Sequence, residues 1–96
     1  MKVFPAAGWF AVFALDQQPY RKVVPVVFWV LDGERLRAVV PSSPAAAVDD
    51  PGPGFAWADQ DGLVGFYHME WTPKEQIRLL VEEALLIGAR KASEVS

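Results

Sequence analysis

The order of hydrophobic and polar positions predicts several strands followed by one helix. Short runs of apolar, β-branched and aromatic residues are separated by clusters of Asp, Gln, Gly and Pro, which is typical of strands and turns. The runs predict strands at residues 8–15, 22–31, 34–40, 55–58 and 63–70. The first three are expected to form a meander. The last two are expected to form a hairpin in which Gly62 takes the unusual backbone angle.

The turn between the second and third predicted strands sets their alignment. Asp32-Gly33 suits the positive φ angles of a two-residue hairpin turn, and such a turn pairs Leu31 with Glu34. One face of this pair is then almost wholly apolar. The opposite face mixes arginine with aliphatic and phenyl side chains, and its candidate contact residues are Val26, Phe28, Val30, Arg35 and Arg37. Because arginine stems can cover apolar surface, we expect this face to be only partly protected.

Prolines interrupt the pattern at two places. Pro25 has no N–H for a β-ladder, so it predicts an edge, a bulge or a break in pairing at that end of the second strand. The segment 41–54 is rich in proline, glycine and alanine and predicts an extended surface loop. Its role as an inert linker or as a binding element stays open.

The end of the chain predicts a helix over about residues 73–92. Thr72 and Glu75 have the spacing of a capping box, and Pro73 stands at the first helical position, where its missing N–H is tolerated. Most apolar residues fall on one broad face, with Gly88 near its centre, where a small residue allows close approach to a sheet. Leu79 and Leu86 lie on the far side and form a second candidate contact patch.

Composition and charge narrow the functional classes. The 96 residues are 52% hydrophobic and 22% charged, which favours one folded domain over residues 1–96. The net charge is -3 and the basic residues lie in separated pairs, which argues against nucleic acid as a partner. The absence of cysteine excludes disulfides, thiolate zinc sites and a cysteine nucleophile. No apolar run approaches the roughly 18 residues of a membrane span, so we expect a soluble, cytoplasmic protein.

Candidates for catalysis are few. His68 and Glu70 are two residues apart on a predicted strand and share a face, the one arrangement that suggests an acid/base pair or the start of a metal site. Two ligands are too few for a metal, and no Gly-x-Ser-x-Gly motif supplies a nucleophile. We therefore expect no cofactor and no metal. An enzyme that uses His68 with a nearby carboxylate remains the less favoured alternative.

The aromatic residues suggest contacts with other molecules. They exceed what one helix can cover on a small sheet, and tryptophan and tyrosine are enriched at interfaces. A pocket lined by Trp57, Phe66 and Tyr67 is one possibility, and it would make the protein a small-ligand-binding domain.

Together these features predict an α+β domain, with an antiparallel sheet of four or five strands and the C-terminal helix packed on one face. The partly protected face predicts a homodimer, because a two-fold dimer needs only one self-complementary patch. We expect a small non-enzymatic binding or regulatory module that contacts itself and a further protein.

Overall fold

A computed structural model describes residues 2–42 and 51–95. Within these residues the chain forms seven strands and one helix: β1 (Lys2–Pro5), β2 (Trp9–Ala14), β3 (Arg21–Pro25), β4 (Phe28–Asp32), β5 (Arg35–Pro41), β6 (Phe55–Trp57), β7 (Leu63–His68) and α1 (Lys74–Val95). Every strand pair in the two sheets is antiparallel. The α+β class and the C-terminal helix are confirmed.

The strands divide between two sheets. Sheet A has the strand order β1-β4-β5-β6, and sheet B has the order β3-β2-β7. The second predicted strand belongs to both, because its first half is β3 and its second half is β4. The change occurs at Val26 and Val27, whose N–H groups donate to the carbonyl oxygens of Trp9 and Val39 respectively. Pro25 ends β3 just before this change, which confirms the break in pairing expected from its missing N–H.

The structure differs from the predicted second hairpin. β6 pairs with β5 in sheet A, whereas β7 pairs with β2 in sheet B. Each end of the link between them is held by a different sheet: Asp59 binds arginines of β5, and the Gly62 carbonyl accepts a hydrogen bond from the Ala14 N–H of β2. Gly62 has φ +97°, a conformation that glycine adopts without strain. The two strands therefore separate instead of pairing.

The register of β4 and β5 is shifted by two residues from the predicted one. Leu31 pairs with Leu36 and Asp32 pairs with Arg35, so the turn residues are Gly33 and Glu34. Because side chains alternate along a strand with a period of two, a shift of two leaves every residue of β4 and β5 on its predicted face. The predicted separation into an apolar face and a mixed face therefore holds.

The molecule has three layers, which are sheet A, sheet B and the helix. The core between the sheets contains the buried residues Ala6, Ala11, Phe13, Val26, Ala38, Val40 and Ala58. The helix packs on the other face of sheet B, where Ala84 and Gly88 are buried. Leu79 and Leu86 are exposed, as expected, and Leu85, which the helical pattern placed on the buried face, is also exposed.

The predicted loop at 41–54 lies mostly outside the described residues. Of its ends, Pro41 pairs with Phe55, and the Ser42 N–H donates to the carbonyl oxygen of Gly54. No helix in the described part of the chain is long and apolar enough to cross a membrane.

Candidate interaction surfaces

The first surface is the outer face of sheet A, which points away from sheet B. Strand alternation places on it Val3, Phe28, Val30, Arg35, Arg37, Val39, Phe55 and Trp57. Four of the five residues predicted for a contact face are therefore together on one surface. Sequence reasoning did not assign Phe55 and Trp57 to it, because their pairing with β5 follows from the long-range fold.

Arg37 is the best-fixed side chain of the outer face. Its guanidinium lies over the Trp57 ring, 3.9 Å from the ring centroid. Its Nε and Nη2 donate to the two carboxylate oxygens of Asp59 over 3.1 and 3.2 Å, and Arg35 donates to the same carboxylate over 3.0 Å. A bidentate contact fixes the plane of the guanidinium, and the ring adds a cation–π interaction. The outer face therefore holds its aromatic and charged groups in place before any partner binds.

The same side chains cover the apolar residues beneath them. Val30 and Val39 are buried although they lie on the outer side of sheet A. Phe28 meets Phe55 edge to face, with 6.0 Å between the ring centroids. Together with the Arg37–Trp57 pair, these rings shield the two valines, so the face is partly protected as expected.

The remaining predicted contact residues do not lie on the outer face; they are Val26, Leu79 and Leu86. Val26 is only 4% exposed and belongs to the core, because the chain crosses from sheet B to sheet A at this residue. It is therefore not available for contact with a partner. Leu79 and Leu86 lie on the exposed side of α1, which packs on sheet B. The helix patch and the outer face are thus on opposite sides of the three layers and cannot form one surface.

The predicted ligand pocket is not formed, because its three residues lie in different layers. Trp57 is on the outer face of sheet A. Phe66 packs between the sheets, with its ring 5.2 Å from that of Trp29. Tyr67 points to the helix side of sheet B and stacks on Phe10 at 5.3 Å. Adjacent residues of one strand point to opposite faces, so Phe66 and Tyr67 could not line one pocket.

Two cavities among the described residues lie at another place. They have volumes of about 180 and 220 Å³ and are lined around Ala14, Leu15 and Asp61. Small-molecule sites commonly have volumes of about 300 Å³ or more. The geometry therefore gives little support to the alternative of a small-ligand-binding domain.

His68 holds a turn together. It is 5% exposed, and its Nδ1 accepts hydrogen bonds from the N–H groups of Glu70 and Trp71 over 3.1 and 3.2 Å. In the neutral ring this places the proton on Nε2. Nε2 faces Gly8, where an added Cβ would lie only 2.6 Å away. The buried ring is not within reach of a substrate in solution, as an acid/base group needs to be.

The described residues offer little for a metal. They contain no group of three or more His, Cys, Asp and Glu side chains that could hold an ion. Asp59, the first carboxylate of the turn before β7, is occupied by Arg35 and Arg37.

A second surface, which the sequence did not predict, surrounds the turn after β7. We call it the Trp71 platform and define it by four exposed residues: Phe4, Leu36, Met69 and Trp71. The Trp71 ring stacks on His68, with 3.9 Å between the ring centroids and 12° between the planes. Trp71 is nevertheless 73% exposed.

Thr72 attaches this turn to β7. Its Oγ1 accepts a hydrogen bond from the His68 N–H over 2.8 Å, and its own N–H donates to the His68 carbonyl oxygen over 2.9 Å. The predicted capping box is therefore not formed. The Glu75 carboxylate pairs with Arg78 instead of reaching back to Thr72. Local side-chain bonds to the backbone compete with capping in this way.

No protein-family model, curated protein or solved structure matches the chain. The outer face of sheet A and the Trp71 platform are therefore the features from which a function can be argued.

Proposed function

We propose that the protein is a small non-enzymatic protein-binding module that forms a homodimer through the outer face of sheet A. One observation carries the proposal: Arg37 is held between Trp57 and Asp59 on an exposed sheet face. Tryptophan and arginine are the residue types that most often dominate binding at interfaces. Side chains that are already fixed lose less conformational entropy on binding.

The charges of the outer face favour a second copy as the partner. Asp32 lies opposite Arg35 in the ladder, and Asp59 binds both arginines, so the face carries both signs. A two-fold axis brings the same patch of two copies together. Arginines of one copy can then meet aspartates of the other, which complementary interfaces require. A cytoplasmic location and contact with a further protein stay part of the proposal.

The mass in solution tests the dimer. Light scattering at micromolar concentration is expected to give about twice the 10.6 kDa of one chain. Phe28→Glu should weaken self-association at least about tenfold, because the two-fold axis brings two new carboxylates close together. Arg35→Glu reverses a largely exposed charge and should act in the same direction without disturbing the core. Circular dichroism shows whether each variant is folded.

The helix patch supplies a matched comparison. Leu86→Glu makes the same change from an apolar side chain to glutamate on the opposite side of the molecule. The wild-type mass should persist in this variant. A monomeric wild type would overturn the dimer. If Leu86→Glu disrupts the dimer while Phe28→Glu and Arg35→Glu leave it intact, the dimer contact lies on the helix and not on the outer face.

A further inference from the structure

The Trp71 platform is rigid at its most exposed residue. The backbone N–H of Trp71 is held by His68 Nδ1, and the next residue, Thr72, is tied to β7 through two hydrogen bonds. The indole ring is stacked on a buried imidazole. A large aromatic group in this state offers contact area at low entropic cost. Such a side chain has the properties of an anchor for another molecule.

Further aromatic rings continue the platform towards sheet A. Trp9 stands at 83° to Trp71 and at 84° to Trp29, with centroid distances of 6.2 and 5.7 Å. Trp29 pairs with Phe4 across the ladder, and the paired residues Leu31 and Leu36 follow on the same face of sheet A. The result is a largely apolar surface, bordered by the exposed Lys2 opposite Leu31 in the ladder.

The platform does not enclose a ligand. Its four residues are 43–73% exposed, and neither of the two cavities described above is lined by them. A small molecule would be covered on one side only, whereas small-molecule sites bury most of the ligand surface. The shape therefore suits an extended chain that lies across the rings.

A partner strand cannot pair at this end of β7. The N–H and the carbonyl oxygen of His68 are both taken by Thr72. On the other side of the platform, Pro5 of edge strand β1 has no N–H to offer. At His68 and Pro5, an occupant that depends on main-chain hydrogen bonds, as in strand addition, therefore finds no free donor.

The exposed area is small for a protein dimer. Phe4 is 43%, Leu36 55% and Met69 60% exposed, in addition to Trp71. Side chains of this size carry roughly 150–250 Å² each, so the platform exposes on the order of 450 Å². Each partner of a standard interface contributes about 800 Å². The platform matches a short peptide better than a second folded domain.

We infer that the Trp71 platform binds a proline-rich segment in the polyproline II conformation. This conformation has no internal hydrogen bonds, is extended and is already ordered before binding. Proline-rich segments dock on surfaces lined by aromatic residues. The inference concerns residues outside the outer face and is independent of the proposed dimer.

Titration with an end-capped polyproline peptide of about ten residues tests the inference. Calorimetry should show saturable binding with a Kd on the order of 100 μM. Amide shifts in NMR spectra should map to residues 4, 36 and 69–72. A glycine-serine peptide of the same length should produce neither effect. It has no proline rings, and it is a flexible coil rather than a preformed polyproline II helix.

Variants of Trp71 test whether the peptide binds at the Trp71 platform. Trp71→Ala should weaken binding at least about tenfold, as loss of an anchor residue does. Trp71→Phe keeps an aromatic ring and should stay within about threefold of the wild type. Leu85→Ala removes an apolar side chain from the exposed part of α1 and should bind like the wild type.

Four results would overturn the inference. The first three are no binding of polyproline up to millimolar concentration, equal affinity of Trp71→Ala and the wild type, and shifts that map to the outer face of sheet A. A fourth is a halved mass of the Trp71→Ala variant in light scattering, which would make the platform a dimer contact. The masses of the wild type and of the Phe28→Glu and Arg35→Glu variants test the proposed dimer without any peptide, so the two proposals can fail separately.

Discussion

At Gly88 the helix lies very close to the rest of the molecule. A Cβ placed on Gly88 would overlap the carbonyl oxygens of Tyr20 and Leu15. Both oxygens belong to the turn after β2, where the Leu15 N–H donates to the Tyr20 carbonyl oxygen over 2.9 Å. The backbone at this point is therefore fixed and cannot move aside. The helical pattern predicted a small residue at the contact, and Gly88 is buried there.

Gly88→Ala should lower the free energy of unfolding by roughly 1–3 kcal/mol, because an overpacked site forces backbone shifts. Gly65→Ala is the matched control. Its new methyl group would lie 3.0 Å from Cδ1 of Leu80, a flexible side chain that can rotate away. Urea denaturation should show the larger loss for Gly88→Ala, and equal losses would contradict the tight helix contact.

At the scale of single elements, the turn between β7 and α1 shows how one side chain can serve two structures. Thr72 precedes the helix, yet its hydroxyl group closes the end of β7. The N–H of His68 is thereby satisfied on the free edge of sheet B. His68 Nδ1 holds the Trp71 N–H in the same turn, so the strand end, the turn and the Trp71 platform are linked through His68 and Thr72.

Thr72→Val keeps the shape of the side chain but removes the acceptor for the His68 N–H. The His68 N–H is partly buried, so losing this hydrogen bond should lower the free energy of unfolding by roughly 0.5–1.5 kcal/mol in denaturant unfolding. Thr72→Ser retains the hydroxyl group and should remain within about 0.5 kcal/mol of the wild type. A Thr72→Val variant as stable as the Ser variant would show that the hydrogen bond contributes nothing.

At the scale of the whole molecule, the three layers decide which groups are shielded from water. Tyr67 lies between sheet B and the helix, stacked on Phe10. Burial raises the pKa of the Tyr67 phenol above its ordinary value of 10.0. The folded state therefore keeps this proton at a pH where the unfolded chain loses it. The stabilisation is complete below about pH 10 and is lost as the pH rises through the folded pKa.

Tyr67→Phe removes this titration and keeps the stacked ring. The free energy of unfolding of the wild type should fall more steeply than that of the variant between about pH 9 and pH 11. The measurement is chemical denaturation of both proteins at each pH. Parallel curves would show that Tyr67 does not contribute to the alkaline instability.

The layers also separate the possible contacts of the molecule. The outer face of sheet A and the exposed leucines of α1 point in opposite directions, with sheet B between them. A homodimer through the outer face would leave the helix exposed. The Trp71 platform lies at the turn between β7 and α1, on residues that the outer face does not include.

Much of the architecture was predictable from particular residues. Pro25 marked the end of β3, Gly88 marked the close helix contact, and the alternation around Phe28 and Arg37 separated a mixed face from an apolar one. The pairing of β6 with β5 was not predictable, because residues 55–58 and 63–70 look like a hairpin when only neighbours are considered. Trp71 is one of the aromatic residues of the chain, but nothing in the local sequence indicates that it is exposed.

The sequence by itself determined the positions of most strands and the helix, and it determined on which side of a strand each side chain lies. These properties follow from backbone periods of about two and 3.6 residues, which the local order of apolar and polar residues reveals. The tertiary structure alone decided which strands pair, how they divide between two sheets and which side chains meet at Asp59 and His68. Backbone N–H and C=O groups are nearly the same in every residue, so long-range pairing depends on packing of the whole chain rather than on any local pattern.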